Sequence, residues 1–209
     1  MNMDKASPNL QHDGIALDDV RLQALEKSVR KIFSENDFHA ADMRTIARET
    51  GMGFNTIYKY FGDKEGLLFY FVRQWQNDLN EQVLEQINAA TGGKDKLNLV
   101  LATFLDYYQN NQDIGKIFFL TLPMTTWMTS ETFSQRALID TVLAVIKQAQ
   151  ANSDIRDDIP AVAILDMLLG MIHRAFTMWI YRGAKPPLKS QAEVLFSLFW
   201  NAITNMNKR

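Results

Sequence analysis

Apolar side chains recur at three- and four-residue spacing along nearly the whole chain, and no useful length alternates apolar with polar, so the pattern predicts helices throughout. A first helix is expected from about Asp18 to Ser34, with Leu22, Leu25, Val29, Ile32 and Phe33 as its inward stripe. Two short helices follow. A long fourth helix starts near Asp63 and continues to about Asn88, a rod roughly 39 Å long at about 1.5 Å per residue. Thr91-Gly92-Gly93 ends it. A fifth helix is expected over Lys94–Asn111, and a short sixth over Asp113–Leu122, stopped by Pro123. Met124–Ser130 reads as a loop rich in Met, Thr and Trp. A seventh helix covers about Glu131–Ala151, and the polar run Asn152–Asp158 leads to an eighth with Pro160 in its first turn. Gly183 and Pro186-Pro187 break the chain before a last helix, Leu188–Met206. The expected fold is all-α with about nine helices, and no internal repeat is present.

The two C-terminal helices carry the widest apolar surfaces. Val162–Trp179 is long enough to be mistaken for a membrane span, but Asp166, His173 and Arg174 interrupt it, and charges inside a span are costly and rare. It is expected to be a fully buried helix, apolar nearly all round and in need of neighbours on several sides. In the last helix Leu188, Ala192, Leu195, Phe196, Phe199, Trp200, Ile203 and Met206 recur at three and four. A homodimer through the helices near 158–182 and 188–206, joined as a four-helix contact, supplies those neighbours; packing inside a monomer is the alternative.

Residues 38–65, FHAADMRTIARETGMGFNTIYKYFGDKE, carry the most specific pattern. Asp42 can cap a helix whose apolar positions are Met43, Ile46 and Ala47. Gly51 follows where a helix end favours positive φ. Met52 re-enters the core, and Phe54–Phe61 forms a second short helix anchored inward by Ile57 and Phe61, four residues apart. Thr56, Lys59 and Tyr60 lie off that line, with hydroxyl and ammonium groups directed at phosphates or base edges. Two short helices joined by a tight glycine turn form a helix-turn-helix, whose second helix reads the DNA major groove.

The run T-I-A-R-E-T-G-M-x-x-x-T-I-Y-K-Y-F-x-D-K-E-x-L-L resembles the DNA-binding domain of the TetR family of bacterial transcriptional regulators, with Ile46, Ala47, Gly51, Thr56, Ile57, Tyr58, Phe61, Lys64, Leu67 and Leu68 at the matching positions. The resemblance implies phosphate contacts from Thr56, Tyr58 and Lys64, and groove contacts from Arg44, Phe54, Asn55, Lys59 and Tyr60. Two positions depart from the family's pattern. Gly53 stands where Ser or Thr commonly caps the recognition helix, and it offers no side-chain oxygen. Asn55 replaces a residue that is usually Gly; it either bonds adenine in bidentate fashion or touches only a phosphate.

Charge leaves this picture unchanged. The 209 residues carry a net charge of −2, and within 38–65 Arg44, Arg48, Lys59 and Lys64 face Asp42, Glu49, Asp63 and Glu65. Acids at helix starts are expected to cap and to complement the dipole, leaving the bases to point outward. The length accommodates a DNA-binding module plus a larger helical domain, and 47% hydrophobic residues supply a core. The absence of Cys excludes a disulfide framework, thiolate metal sites and a Cys nucleophile, and suits a reducing cytoplasm. MNMDKASPNLQHDG has no apolar run behind a charged start, so it does not read as a signal peptide. The expected division is a flexible tail over 1–16, the helix-turn-helix domain over 17–62, and an effector-binding and dimerisation domain over 63–209.

The expected effector residues come from the middle helices. Phe104, Tyr107, Tyr108, Phe118, Phe119, Met124, Trp127, Met128, Phe133, Met167 and Met171 can line an adaptable apolar cavity, or can serve as ordinary core. On the eighth helix Asp166, Gly170, His173, Arg174 and Thr177 fall on one narrow polar stripe. Two readings stay open: His173 and Arg174 anchor an anionic group of an apolar ligand, or the stripe forms satisfied pairs at the dimer interface.

An enzyme is excluded on motif grounds. The three histidines are scattered, and HExxH, GxSxG, P-loop, GxGxxG and paired Glu-x-x-His motifs are all missing, so no cofactor or metal is expected. A helical carrier of hydrophobic ligands, or a scaffold, would have no use for residues 38–65. The expectation is therefore a dimeric, cytoplasmic regulator that binds operator DNA. By the resemblance, it is a repressor released when a small apolar or amphipathic effector tilts the fourth helix.

Overall fold

The structure, a computed structural model, describes residues 11–12, 15–122 and 136–204. Nine α-helices are found among them: α1 (Asp19–Glu35), α2 (Met43–Thr50), α3 (Phe54–Phe61), α4 (Lys64–Ala89), α5 (Gly93–Asn110), α6 (Gln112–Lys116), α7 (Arg136–Ala151), α8 (Ala161–Tyr181) and α9 (Ala192–Ile203). The fold is all-α, apart from two-residue strands Gln11–His12 and Ile15–Ala16, which pair antiparallel within the stretch expected as a tail. The expected loop Met124–Ser130 and the start of the seventh helix lie outside the described residues.

Local chemistry accounts for the helix ends. The Asp18 carboxylate accepts from the Arg21 N–H at 2.8 Å and starts α1. Leu25, Val29, Ile32 and Phe33 are buried as the stripe requires, whereas Leu22 is only half-buried. Pro160 precedes α8 rather than sitting in its first turn. Its backbone is extended, with ψ 134°, and its carbonyl accepts from Ala163 and Ile164, which is the part an N-cap plays.

Three further expectations need correction. The sixth helix is not uniform: α6 gives way to a π-turn over Ile117–Thr121, closed by the Leu122 N–H on the Ile117 carbonyl. The last helix opens as a 3-10 turn, Leu188–Gln191, and ends at Ile203, because Thr204 turns extended and bridges Ile155. The Arg156 N–H donates to the Ile203 carbonyl at 2.8 Å, taking an oxygen left free at the helix end. Nor is α8 fully buried. Ile164, Leu165, Leu168, Ile172, Phe176 and Trp179 face the core, while Val162, Asp166, Gly170, Arg174 and Tyr181 are exposed. By length and composition alone α8 could cross a membrane, at mean hydropathy 1.5 over its most apolar window; its polar positions collect on one face.

The chain forms two compact units. One contains the described residues through Trp75 together with Lys116–Leu122; the other contains Gln76–Gly115 and the described residues from Arg136 onward. α4 runs without a break through the Trp75–Gln76 junction. In the first unit Leu25, Val29, Phe33, Ile46, Ile57, Phe61, Leu67 and Phe71 are buried, and the Trp75 indole N–H reaches the Glu26 carboxylate at 2.7 Å. The π-turn belongs here too: the Thr121 hydroxyl donates to the Phe33 carbonyl at 2.6 Å, and the Phe38 N–H donates to the Thr121 carbonyl. The second unit is built on α5, α7, α8 and α9, with Tyr108, Phe176 and Trp179 packed ring to ring.

Candidate nucleic-acid interface and effector region

The helix-turn-helix forms from the residues that the spacing singled out. The Asp42 carboxylate accepts from the Arg44 N–H at 3.0 Å and the Thr45 hydroxyl at 2.8 Å, which holds its pKa below the ordinary carboxylate value. Gly51 ends α2 in the left-handed region at φ 67°, so the chain reverses without side-chain strain. Gly53 caps α3 with no side-chain hydrogen bond, as its missing oxygen requires. At the far end Gly62 takes φ 79°, and the Asp63 carboxylate receives the Gly66 N–H at 2.6 Å as α4 begins. Gly66 is confined by contact: a Cβ there would fall on the Phe61 carbonyl oxygen.

Ile57 and Phe61 are buried as expected. Tyr60 departs from expectation. Its side chain is 8% exposed, because Ile57, Tyr60 and Phe61 at 0, +3 and +4 make one inward face. Arg44, Gly53, Phe54, Asn55, Thr56 and Lys59 are exposed. Tyr58 is half-buried, with its ring 4.6 Å from that of Phe54. The Lys64 ammonium donates to the His39 and Ala41 carbonyls at 3.0 and 3.3 Å and sits over the Phe38 ring, tying the start of α4 to the turn before α2. Two of its three donors are thus committed.

The acids of the module are also committed. Glu49 accepts from Lys31 at 2.7 Å and from the Ser28 hydroxyl at 2.9 Å, so its carboxyl titrates below its ordinary range. With Asp42 and Asp63 acting as caps, the exposed charges of α2 and α3 include Arg44, Arg48 and Lys59. Chemically, this is a short helix with an exposed start rich in donors, held rigidly by an apolar base.

Comparison with known proteins places this geometry. The family profile for bacterial regulatory proteins of the tetR family matches residues 28–71, which spans α2, α3 and their flanks. The fatty acid metabolism regulator protein of Bacillus subtilis (strain 168) is 20% identical over 186 residues, 88% of this chain and 95% of the relative. The crystal structure of the transcriptional regulator FadR from Bacillus subtilis in complex with stearoyl-CoA superposes with a TM-score of 0.78 at 18% identity, covering 87% of this chain and 99% of that one. The fatty acid degradation regulator FadR from Bacillus halodurans gives 0.77 at 16% identity, covering 88% and 96%.

Residues 28–71 are a TetR-family DNA-binding domain. The chain is a DNA-binding transcriptional regulator, and this module is what separates it from a carrier or scaffold of similar core.

Among the described residues, the expected effector residues are divided between the two units. Phe104 and Tyr108 are buried in the second unit, where desolvation pushes the Tyr108 hydroxyl pKa up. Tyr107 is buried beside them, while Phe118 and the half-buried Phe119 belong to the π-turn of the first unit. Met124, Trp127, Met128 and Phe133 lie outside the described residues. Met167, Met171 and Arg174 line an open groove of about 500 Å³ with Gly170, Met178 and Leu195. His173, half-buried, is not among its lining residues.

One residue escaped the sequence reading. Gln76 on α4 is 1% exposed, and neither its amide nitrogen nor its amide oxygen has a hydrogen-bond partner. Val72, Leu79 and Val83 are buried at spacings of −4, +3 and +7 from it. A polar amide at the centre of an apolar stripe was the available signal.

Proposed function

We propose that this regulator is a cytoplasmic homodimeric repressor without enzymatic activity, and that a long-chain fatty acyl-CoA releases it from its operator. The observation that carries the effector class is the likeness to the Bacillus subtilis regulator of fatty acid metabolism, which extends over 88% of this chain and 95% of the relative rather than over the DNA-binding module alone. The stearoyl-CoA complex of a structure with the same fold supports it further. Arg44, Gly53, Phe54, Asn55, Thr56, Tyr58 and Lys59 then meet the DNA, with Lys64 and Tyr60 bracing the recognition helix from behind.

On the effector side, an acyl chain needs an apolar enclosure, and its thioester carbonyl needs a donor. Phe104 and Tyr108 supply apolar walls, and the Gln76 amide supplies a buried donor on the helix that continues into the reading head. Ligand contact at Gln76 acts on α4 directly, so binding energy is spent where it shifts the position of α3. The exposed line on α8 and the exposed Val194 and Leu198 of α9 favour the dimer reading for Asp166 and Arg174 over the pocket reading.

The test is a mobility-shift assay with a duplex from the protein's own promoter region. Stearoyl-CoA should release the complex at micromolar concentration, and coenzyme A alone should not. Release by both, or by neither, overturns the effector class.

A further inference from the structure

Two fixed charges interrupt α8, and they are placed symmetrically. Asp166 and Arg174 lie four residues either side of Gly170, and all three are exposed on one line of the helix. Eight residues of helix rise about 12 Å, so the two side chains cannot pair with each other along it. Neither has an ion pair within the described chain.

Gly170 adds a second oddity. Glycine in a helix interior is less favourable than alanine, and a Cβ at this position would meet nothing within 4 Å. The protomer's own packing therefore does not call for glycine. What a missing side chain permits is the close approach of another backbone. Apolar groups surround the line: Val162 is 53% exposed, Tyr181 83% and Leu198 62%, with Met167, Met171 and Leu195 in the groove alongside.

We infer that α8 crosses the α8 of a second copy at Gly170, antiparallel about a two-fold axis, so that Asp166 of each protomer faces the partner's Arg174. The inference rests on the homodimer reading above and adds the register of the contact. In an isologous interface residue i meets j and j meets i. Opposite charges at −4 and +4 about a central glycine satisfy that rule twice, which makes the line its own complement. A parallel crossing would set Asp166 against the partner's Asp166 and Arg174 against the partner's Arg174, and like charges at an interface are strongly unfavourable. Desolvated by the surrounding apolar groups, the two pairs fix which way the protomers meet.

The experiment uses the full chain in two charge-reversed forms, D166R and R174D, with oligomeric state followed by analytical ultracentrifugation. Each variant alone places like charges in contact twice, and its dimer should dissociate on the order of 100-fold more readily than the wild type. An equimolar mixture of the two should restore a heterodimer of near wild-type affinity, and the double variant D166R/R174D should restore the homodimer. Both substitutions are at exposed positions, so circular dichroism of each variant should match the wild type. A dimeric wild type with no rescue on mixing overturns the pairing and leaves the homodimer standing. A monomeric wild type at micromolar concentration sinks both.

Discussion

The ring of Phe176 lies against the backbone of Gly115, so that a Cβ added at Gly115 would sit 2.6 Å from Cε2 and closer still to Cζ. The ring has little room to yield, since Phe176 is fully buried with Tyr108 and Trp179 packed beside it. Gly115→Ala should cost about 1–3 kcal/mol by overpacking. Denaturant unfolding will read this as a lower midpoint. Adding Phe176→Leu should make the pair less destabilising than the sum of the single changes, and strict additivity would refute the contact.

Asp42 sets the start of α2 through the Arg44 N–H and the Thr45 hydroxyl. Asp42→Ala should lower stability by about 1 kcal/mol, the usual loss of an N-cap. Asp42→Ser should recover most of it. If thermal unfolding of the alanine variant matches the wild type, the cap is not supporting the module.

Gln76→Leu should move two measurements in opposite directions. Replacing a buried, unpartnered amide by an apolar group of similar size should raise the melting temperature of the ligand-free protein, since such a group costs about 1–3 kcal/mol. The further rise produced by stearoyl-CoA should shrink, while operator affinity stays unchanged. A lower melting temperature with an intact acyl-CoA response would show that the amide is engaged within the protein.

The Lys31–Glu49 pair predicts a pH profile. Hydrogen bonds from Lys31 and Ser28 depress the folded pKa of Glu49, so its contribution is present above the ordinary carboxylate value of 4.5 and fades as pH falls through the lower folded value. Lys31 is shifted the other way by the same bond; its contribution is present below 10.5 and is lost as pH rises through the raised value. Both side chains are solvent-accessible, so the effect is modest. Thermal scans should place the plateau between these limits, and Glu49→Gln should flatten the acid limb. An unchanged acid limb would count against the pair.

The DNA-binding module was legible because its determinants are local. A capping acid, a left-handed glycine and apolar residues four apart each act within one or two turns, and Asp42, Gly51, Ile57 and Phe61 do what their spacing requires. The burial of Tyr60 is not legible from the Ile57–Phe61 line, which has no width, whereas the buried face of α3 takes in the +3 position as well. The exposed side of α8 is hidden in the sequence for a related reason. Composition reports how much apolar surface a helix has, not which side the protomer covers. Helical periodicity also does not say which neighbours a face meets, so it does not separate Phe104, which is buried, from Met167, which lines an open groove. Gln76 gives little signal in the sequence, because isolated amides such as Gln76 and Asn80 weigh little against the apolar neighbours that share their stripe.

The hydrogen bonds from Thr121 to Phe33 and from Phe38 to Thr121 have a consequence for modularity. A fragment cut after Trp75 would contain every residue of α1, α2 and α3, yet it would lose the partner that Thr121 provides at both points. The reading head is assembled from two distant stretches of chain, and transplanting it onto another regulator would require residues 116–122 to travel with it.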